Sequence, residues 1–438
     1  MKKLWEKDYN TDKLLESFTV GQDRELDLAL AEYDAKASKA HAKMLAKIGL
    51  LTDEESKLLV EGLDSIIKTI QDGHFVIEKG VEDVHSQIEM ILTQKYGDIG
   101  KKIHSGRSRN DQVLTAIKLL AKYELKSIAH LVRELFYLLQ SLSEKYKDIL
   151  IPGYTHMQVA MPSSFGLWFG AYAESLADDL LILKAASQIV DKNPLGSAAG
   201  YGSSFPLDRE FTTEEIGFAG LNYNVVYAQM TRGKTEKTTA MALSVIASTV
   251  SKLAMDVCMY NGQNFGFLSL PDEFTTGSSI MPHKKNPDGF ELVRAKCNKL
   301  QALPMETTLI LNNLPSGYHR DLQITKESFI PAFNTMKDCL KMTISMLKNI
   351  SVKEGIAEEE KYKDMFSVEL VNQLVLEGMP FRDAYQEVGK RAKKDDFQLS
   401  KNINHQHIGS IGNLANEEIR KTFDKTFDYY LSSHDEEH

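Results

Sequence analysis

From Arg107 to Ile151 the chain contains neither glycine nor proline. Apolar residues fall at Val113, Ile117, Leu120, Ile128, Leu131, Leu135, Leu138, Leu142 and Tyr146, three or four apart almost throughout. This spacing predicts one long amphipathic helix; from Asp111 to Lys147 it would span roughly 55 Å, more than a compact monomeric domain needs. Two further helical stretches follow, Ser164 to Asp191 and Thr235 to Asn261. The second carries apolar and small residues on nearly every side, the pattern of a helix surrounded by other helices. Lys252 and Asp256 interrupt its apolar run, which argues against a membrane span. Several such helices together predict a bundle, and an oligomeric one.

On either side the periodic pieces are shorter. "TDEESKLLVEGLDSIIKTI" follows Leu51 with Thr52 as N-cap and Glu55 three residues on, the pattern of a capping box. "KRAKKDD" near the C-terminal end reads as a solvated face, and extended runs such as "HFVIE" and "FGFLSL" are few. The expected fold is all-α: an N-terminal helical domain over 1–102, a central long-helix bundle over 103–351 and a C-terminal helical domain over 352–438. Composition narrows the partners. The net charge is −9, with Lys and Arg scattered among Asp and Glu, so no basic face for nucleic acid is indicated. Cys258, Cys297 and Cys339 are odd in number and lack a CxxC pair, which argues against a disulfide framework and a zinc site and suits buried thiols in a reducing cytoplasm. "MKKLWEKDYNTDK" has no apolar run behind its basic residues, so no signal peptide is read there and a cytoplasmic location is expected.

Three polar clusters stand out. In "HSGRSRNDQV" (104–113), Asn110 or Asp111 is placed to cap the long helix, and Arg107 and Arg109 flank Ser108 beside its N-terminal N–H groups, a setting that suits a carboxylate or phosphate. In "PGYTHMQVAMP" (152–162), two prolines bracket a segment that offers Tyr154, Thr155, His156 and Gln158 as donors and acceptors, with His156 able to relay a proton near neutral pH. In "TGSSIMPHKKNPDGFE" (276–291), a serine loop with freedom at Gly277 runs into a helix start. Asn286 reads as N-cap, Pro287 as the first helical residue, and Asp288 and Glu291 fall in the first turn. Lys284 and Lys285 add positive charge there, so this loop is expected to close over an anion and stabilise negative charge that grows during a reaction.

"GSSIMPHKKNPD" matches, without a gap, the GSSxMPxKxN pattern of the fumarase and aspartase superfamily, and the chain resembles that superfamily. "GRSRNDQV", "GYTHMQ", "LPSGYHRDLQITKE" (314–327) and "GMPFRDAYQEVGK" (378–390) narrow the resemblance to the argininosuccinate lyases. It implies cleavage of argininosuccinate to arginine and fumarate by anti β-elimination, the last step of arginine biosynthesis. It further implies a homotetramer whose active sites are shared between subunits. By resemblance Ser278 is the base, Lys284, Asn286 and the helix N-terminus stabilise the aci-carboxylate, and His156, oriented by Glu291, serves the leaving nitrogen. Ser108, Asn110 and Thr155 go to the succinyl carboxylates, and Tyr318, Gln323 and Lys326 to the arginine end. "MTRGKTEK" replaces the family's arginine segment before the third long helix, with Arg232 taken to fill that place, and "SFTVG" replaces the N-terminal substrate segment. No metal or organic cofactor is expected, since the histidines and cysteines show no ligand spacing. His283 resembles the adenylosuccinate lyases, which supply the alternative enzyme reading; a crystallin-like structural oligomer is the non-catalytic one.

Overall fold

The computed structural model describes residues 12–394 and 403–432. The first long helix is Arg109–Lys145, and its cap is Ser108 rather than Asn110 or Asp111. The Ser108 hydroxyl accepts the Asn110 N–H, while Asp111 reaches back to the Ser108 N–H at 2.9 Å, so the arrangement is a capping box. The second long helix, Phe165–Val190, is capped by Ser164. The third, Val225–Asn261, begins ten residues before the predicted Thr235, behind an Asn224 cap, and breaks at Arg232 and Gly233. Gly233 has φ 84°, so the periodic pattern restarts after it, and the pattern alone places the start there. By length and composition this helix could cross a membrane, yet half of its most apolar stretch is buried inside the protein. Helices Asp288–Leu300 and Thr325–Lys348 complete the bundle.

Side-chain ties fix the directions of these helices. Lys118 donates to the Lys192 carbonyl and to Asn222 Oδ1, which joins the start of the first helix to the end of the second and the approach to the third. Trp168 and Tyr172, early in the second helix, both donate to Asp256 near the end of the third. The second helix therefore runs antiparallel to the first, the third parallel to it, and the bundle has two distinct ends. Between them lies one apolar core that includes Phe136, Leu139, Phe169, Leu176, Leu243, Ile246, Phe329 and Phe333. Each such side chain contributes about 1.5–3 kcal/mol by leaving water.

Helices Ala31–Lys47, Asp53–Gln71 and Val84–Tyr96 enclose a separate core with Leu45, Leu59, Leu63, Ile88 and Leu92. The Thr52–Glu55 capping box forms as read from the sequence. Helix Asn416–Ser432 returns to the bundle, where Phe423 stacks on Phe136 with ring centroids 3.8 Å apart. "HFVIE" forms no strand, and "FGFLSL" yields only Leu268–Ser269, paired antiparallel with Ser351–Val352. A hairpin that the pattern did not announce, Leu150–Thr155 with Gln158–Ser164, links the first two long helices.

Candidate active site

One end of the bundle carries Ser108, Arg109 and Asn110. Arg109 is clamped at the start of helix Val84–Tyr96: NH1 donates to Glu82 Oε2 at 2.9 Å and NH2 to Ser86 Oγ at 2.8 Å, with Asp83 at 3.5 Å. Burial works against its charge, but Asp83 and Glu82 outweigh that and hold the proton more tightly than usual. Arg107 is turned instead to Ser38, so the two arginines do not flank the cap together as expected. Asp111 Oδ2 also accepts the Gly196 and Ala198 N–H groups and so pins the 193–202 loop beneath the helix start. Burial pushes its carboxyl up to about 6 even so.

The 318–326 segment meets the same end. Glu82 receives both Arg109 and Arg320, which bridges the two segments. Lys326 is buried between Asp23 and Asp27, 2.7 Å from each, and Gln323 donates to the Thr19 carbonyl at 2.8 Å and to that of Val20 at 3.4 Å. The "SFTVG" segment therefore meets Gln323, and the residues that follow it, Asp23 and Asp27, meet Lys326. Tyr318 is half-buried beside them in sequence. Arg232 is not on the cleft surface: it is 4 % exposed, paired with Glu236, and donates to the Leu322 carbonyl.

At the other end, the hairpin turn places His156 at φ 52° and Met157 at φ 62°, with Thr155 opposite Gln158. Both turn residues are left-handed, the backbone of a two-residue hairpin that usually takes Asn-Gly. Thr155, His156 and Gln158 are all exposed. Tyr154 packs edge-on against Phe265, just beyond the third helix, so this turn and the serine loop belong to the same end.

The serine loop is closed at its neck by paired backbone bonds between Thr276 and Asn286, 3.1 and 2.8 Å. Helix Asp288–Leu300 starts without a side-chain cap; Asn286 donates to the Gly277 carbonyl rather than capping it. Ser278 Oγ accepts the Met281 N–H at 3.1 Å and the Ile280 N–H at 3.4 Å. Lys285 pairs with Asp272, whereas Lys284 and Glu291 stand exposed at the loop and in the first helical turn. Among the described residues, no hydrogen bond or ion pair links Glu291 to His156, or the hairpin turn to the loop. Ser108 caps the start of a 37-residue helix that is roughly 55 Å long, and His156 lies in the hairpin that follows its end.

Sequence reasoning did not find Glu82, Asp83, Ser86, Asp23 or Asp27. The run "EDVHS" offered a signal, an N-cap acid at Asp83 next to a second carboxylate, but the arginine it serves lies 27 residues on.

The long-helix bundle carries a half-buried polar cap at one end and exposed polar loops at the other, and a lyase family matches residues 6–302. Relatives named argininosuccinate lyase are 60% identical in Bacteroides fragilis (strain YCH46), over 97% of this chain and 95% of theirs, and 61% in Parabacteroides distasonis, over 95% and 94%. The Thermotoga neapolitana argininosuccinate lyase is 42% identical over 89% of this chain and 98% of its own. The chain belongs to the argininosuccinate lyase family of the fumarase and aspartase superfamily. The fold agrees with an EDDS lyase variant solved with bound fumarate (TM-score 0.76, 20% identity, 97% of this chain and 91% of that one). It also agrees with a class II fumarase from Schistosoma mansoni (TM-score 0.73, 16% identity, 98% and 96%).

Proposed function

We infer that the chain cleaves argininosuccinate to arginine and fumarate by anti β-elimination, in the cytoplasm, with each site assembled from several subunits of a homotetramer. The observation that carries the chemistry is Ser278 Oγ accepting two loop N–H groups. A serine is too weak a base unless its alkoxide is stabilised, and those donors, with the Lys284 ammonium, supply that stabilisation once closure excludes water. Ser278 takes the proton beside the succinyl carboxylate. The doubly negative aci-carboxylate that results is held by Lys284, Asn286 and the N–H groups opening helix Asp288–Leu300. His156, oriented by Glu291 of another chain, serves the leaving nitrogen. Ser108, Asn110 and Thr155 bind the succinyl carboxylates, and Tyr318, Gln323 and Lys326 the arginine half.

The oligomer is supported by the length of the first helix, which keeps Asn110 and His156 of one chain apart, and by exposed apolar residues along the bundle: Leu181, Ile182, Met230, Met241 and Met255. The decisive assay follows fumarate absorbance with argininosuccinate and adenylosuccinate side by side. Release from argininosuccinate alone is expected. Ser278→Ala should lower kcat at least ~10³-fold with KM little changed, since one hydroxyl is lost and the cationic pocket is kept. Near wild-type turnover by that variant would reject Ser278 as the base.

A further inference from the structure

The break in the third long helix is organised around one carboxylate. Glu236 Oε2 accepts the Gly233 N–H at 2.6 Å, and its Oε1 lies 2.9 Å from Arg232 Nε, with both side chains 1% exposed. Glycine is needed at the break because φ is +84°, and a Cβ there would also stand 2.3 Å from Leu311 Cδ2, so that side chain would have to shift. Arg232 NH2 donates to the Leu322 carbonyl at 2.9 Å, and Thr325 Oγ1 donates to the same oxygen at 2.7 Å. One carbonyl of the Arg320–Gln323 turn is thus held by two buried donors from two different elements. A buried ion pair is a weak source of stability because of its desolvation cost, so stability alone does not account for an arginine at this point. What the carbonyl controls is the setting of its neighbours: Gln323 follows it directly and Lys326 lies one helical turn on. The same guanidinium is felt electrostatically at Asp23, the partner of Lys326.

We propose that Arg232 is a positioning residue: held at the break by Glu236, it fixes the Leu322 carbonyl and so sets Gln323 and Lys326 for the arginine half of the substrate, without touching the substrate itself. This rests on the reading that those two residues bind that half.

The test uses the full-length protein with Arg232→Lys, Thr325→Val and the double variant. Each single change removes one donor to the Leu322 oxygen, and Thr325→Val keeps the side-chain shape. Each should raise KM for argininosuccinate and the inhibition constant of free arginine about tenfold, the scale of one lost charged or buried hydrogen bond. The inhibition constant of fumarate and kcat should stay within about threefold. The double variant should cost less than the product of the singles, because both act on one oxygen. Amide exchange over 320–324 should quicken in both singles and stay unchanged in the hairpin Leu150–Ser164. If Thr325→Val kept wild-type constants while Arg232→Lys did not, Arg232 would be touching the substrate and the proposal would fall. It would fall equally if fumarate inhibition weakened as much as arginine inhibition. Should Arg232→Lys not fold, Thr325→Val carries the same comparison. If the wild type released no fumarate from argininosuccinate, the functional reading would fail, while the exchange data would still decide whether the turn is held as described.

Discussion

Lys118 is fully buried, and burial pushes its ammonium down to about 7 although Glu236 pulls the other way. Unfolded, the same group titrates near 10.5. Between those values the unfolded chain binds a proton that the folded chain has released, so this residue makes stability rise with pH from about 7 to about 10.5 and fall as pH drops through 7. Lys118→Met removes that dependence. Denaturant unfolding at pH 7 and pH 9.5 should show the wild type gaining on the variant at the higher pH; an unchanged gap would mean that Lys118 stays charged throughout. At the opposite end of the bundle, His156 and Met157 hold a conformation that costs a non-glycine residue roughly 1–2 kcal/mol each. Backbone strain of that kind tends to persist where it presents a working side chain, and here it lifts His156 out at the tip of a hairpin.

Among the elements, the serine loop is tied at one neck, the Thr276–Asn286 pair, with Lys284 exposed at its rim. A dianion should draw Lys284 and the helix N–H groups together. Amide exchange across 277–286 should therefore slow when succinate is added, and Lys284→Met should lower kcat far more than it raises KM. Equal exchange with and without succinate would count against closure as a catalytic step. The three long helices were legible in the sequence because a 3.6-residue period is a local signal, and the Thr52 box was legible for the same reason. The hairpin was not, since its turn is His-Met where the usual signature is Asn-Gly. The start of the third helix was masked by Gly233, which breaks the period in the middle of one continuous element. The three polar clusters announced themselves as motifs, but their supports did not. Asp27 lies 299 residues from Lys326, and no pattern along the chain encodes that pairing.

For the whole molecule, the first long helix separates Ser108 at its start from the hairpin that follows its end. On the shared-site reading proposed above, Asn110 and His156 of one site come from different chains. Asn110→Ala and His156→Asn, each inactive alone, should regain about a quarter of wild-type activity when unfolded together and reassembled, because two independent chains must each be intact. No recovery, with light scattering showing a fully active monomer in the wild type, would overturn the shared-site arrangement. The stack of Phe423 on Phe136 has a different consequence, one that concerns synthesis. A chain growing from the ribosome exposes Phe136 after about a third of its length, yet the ring that covers it emerges only near the end of translation. Through that interval the ring that stacks on Phe136 is missing, so that apolar face of the first helix stays open to contact with neighbouring chains until the last helix is made.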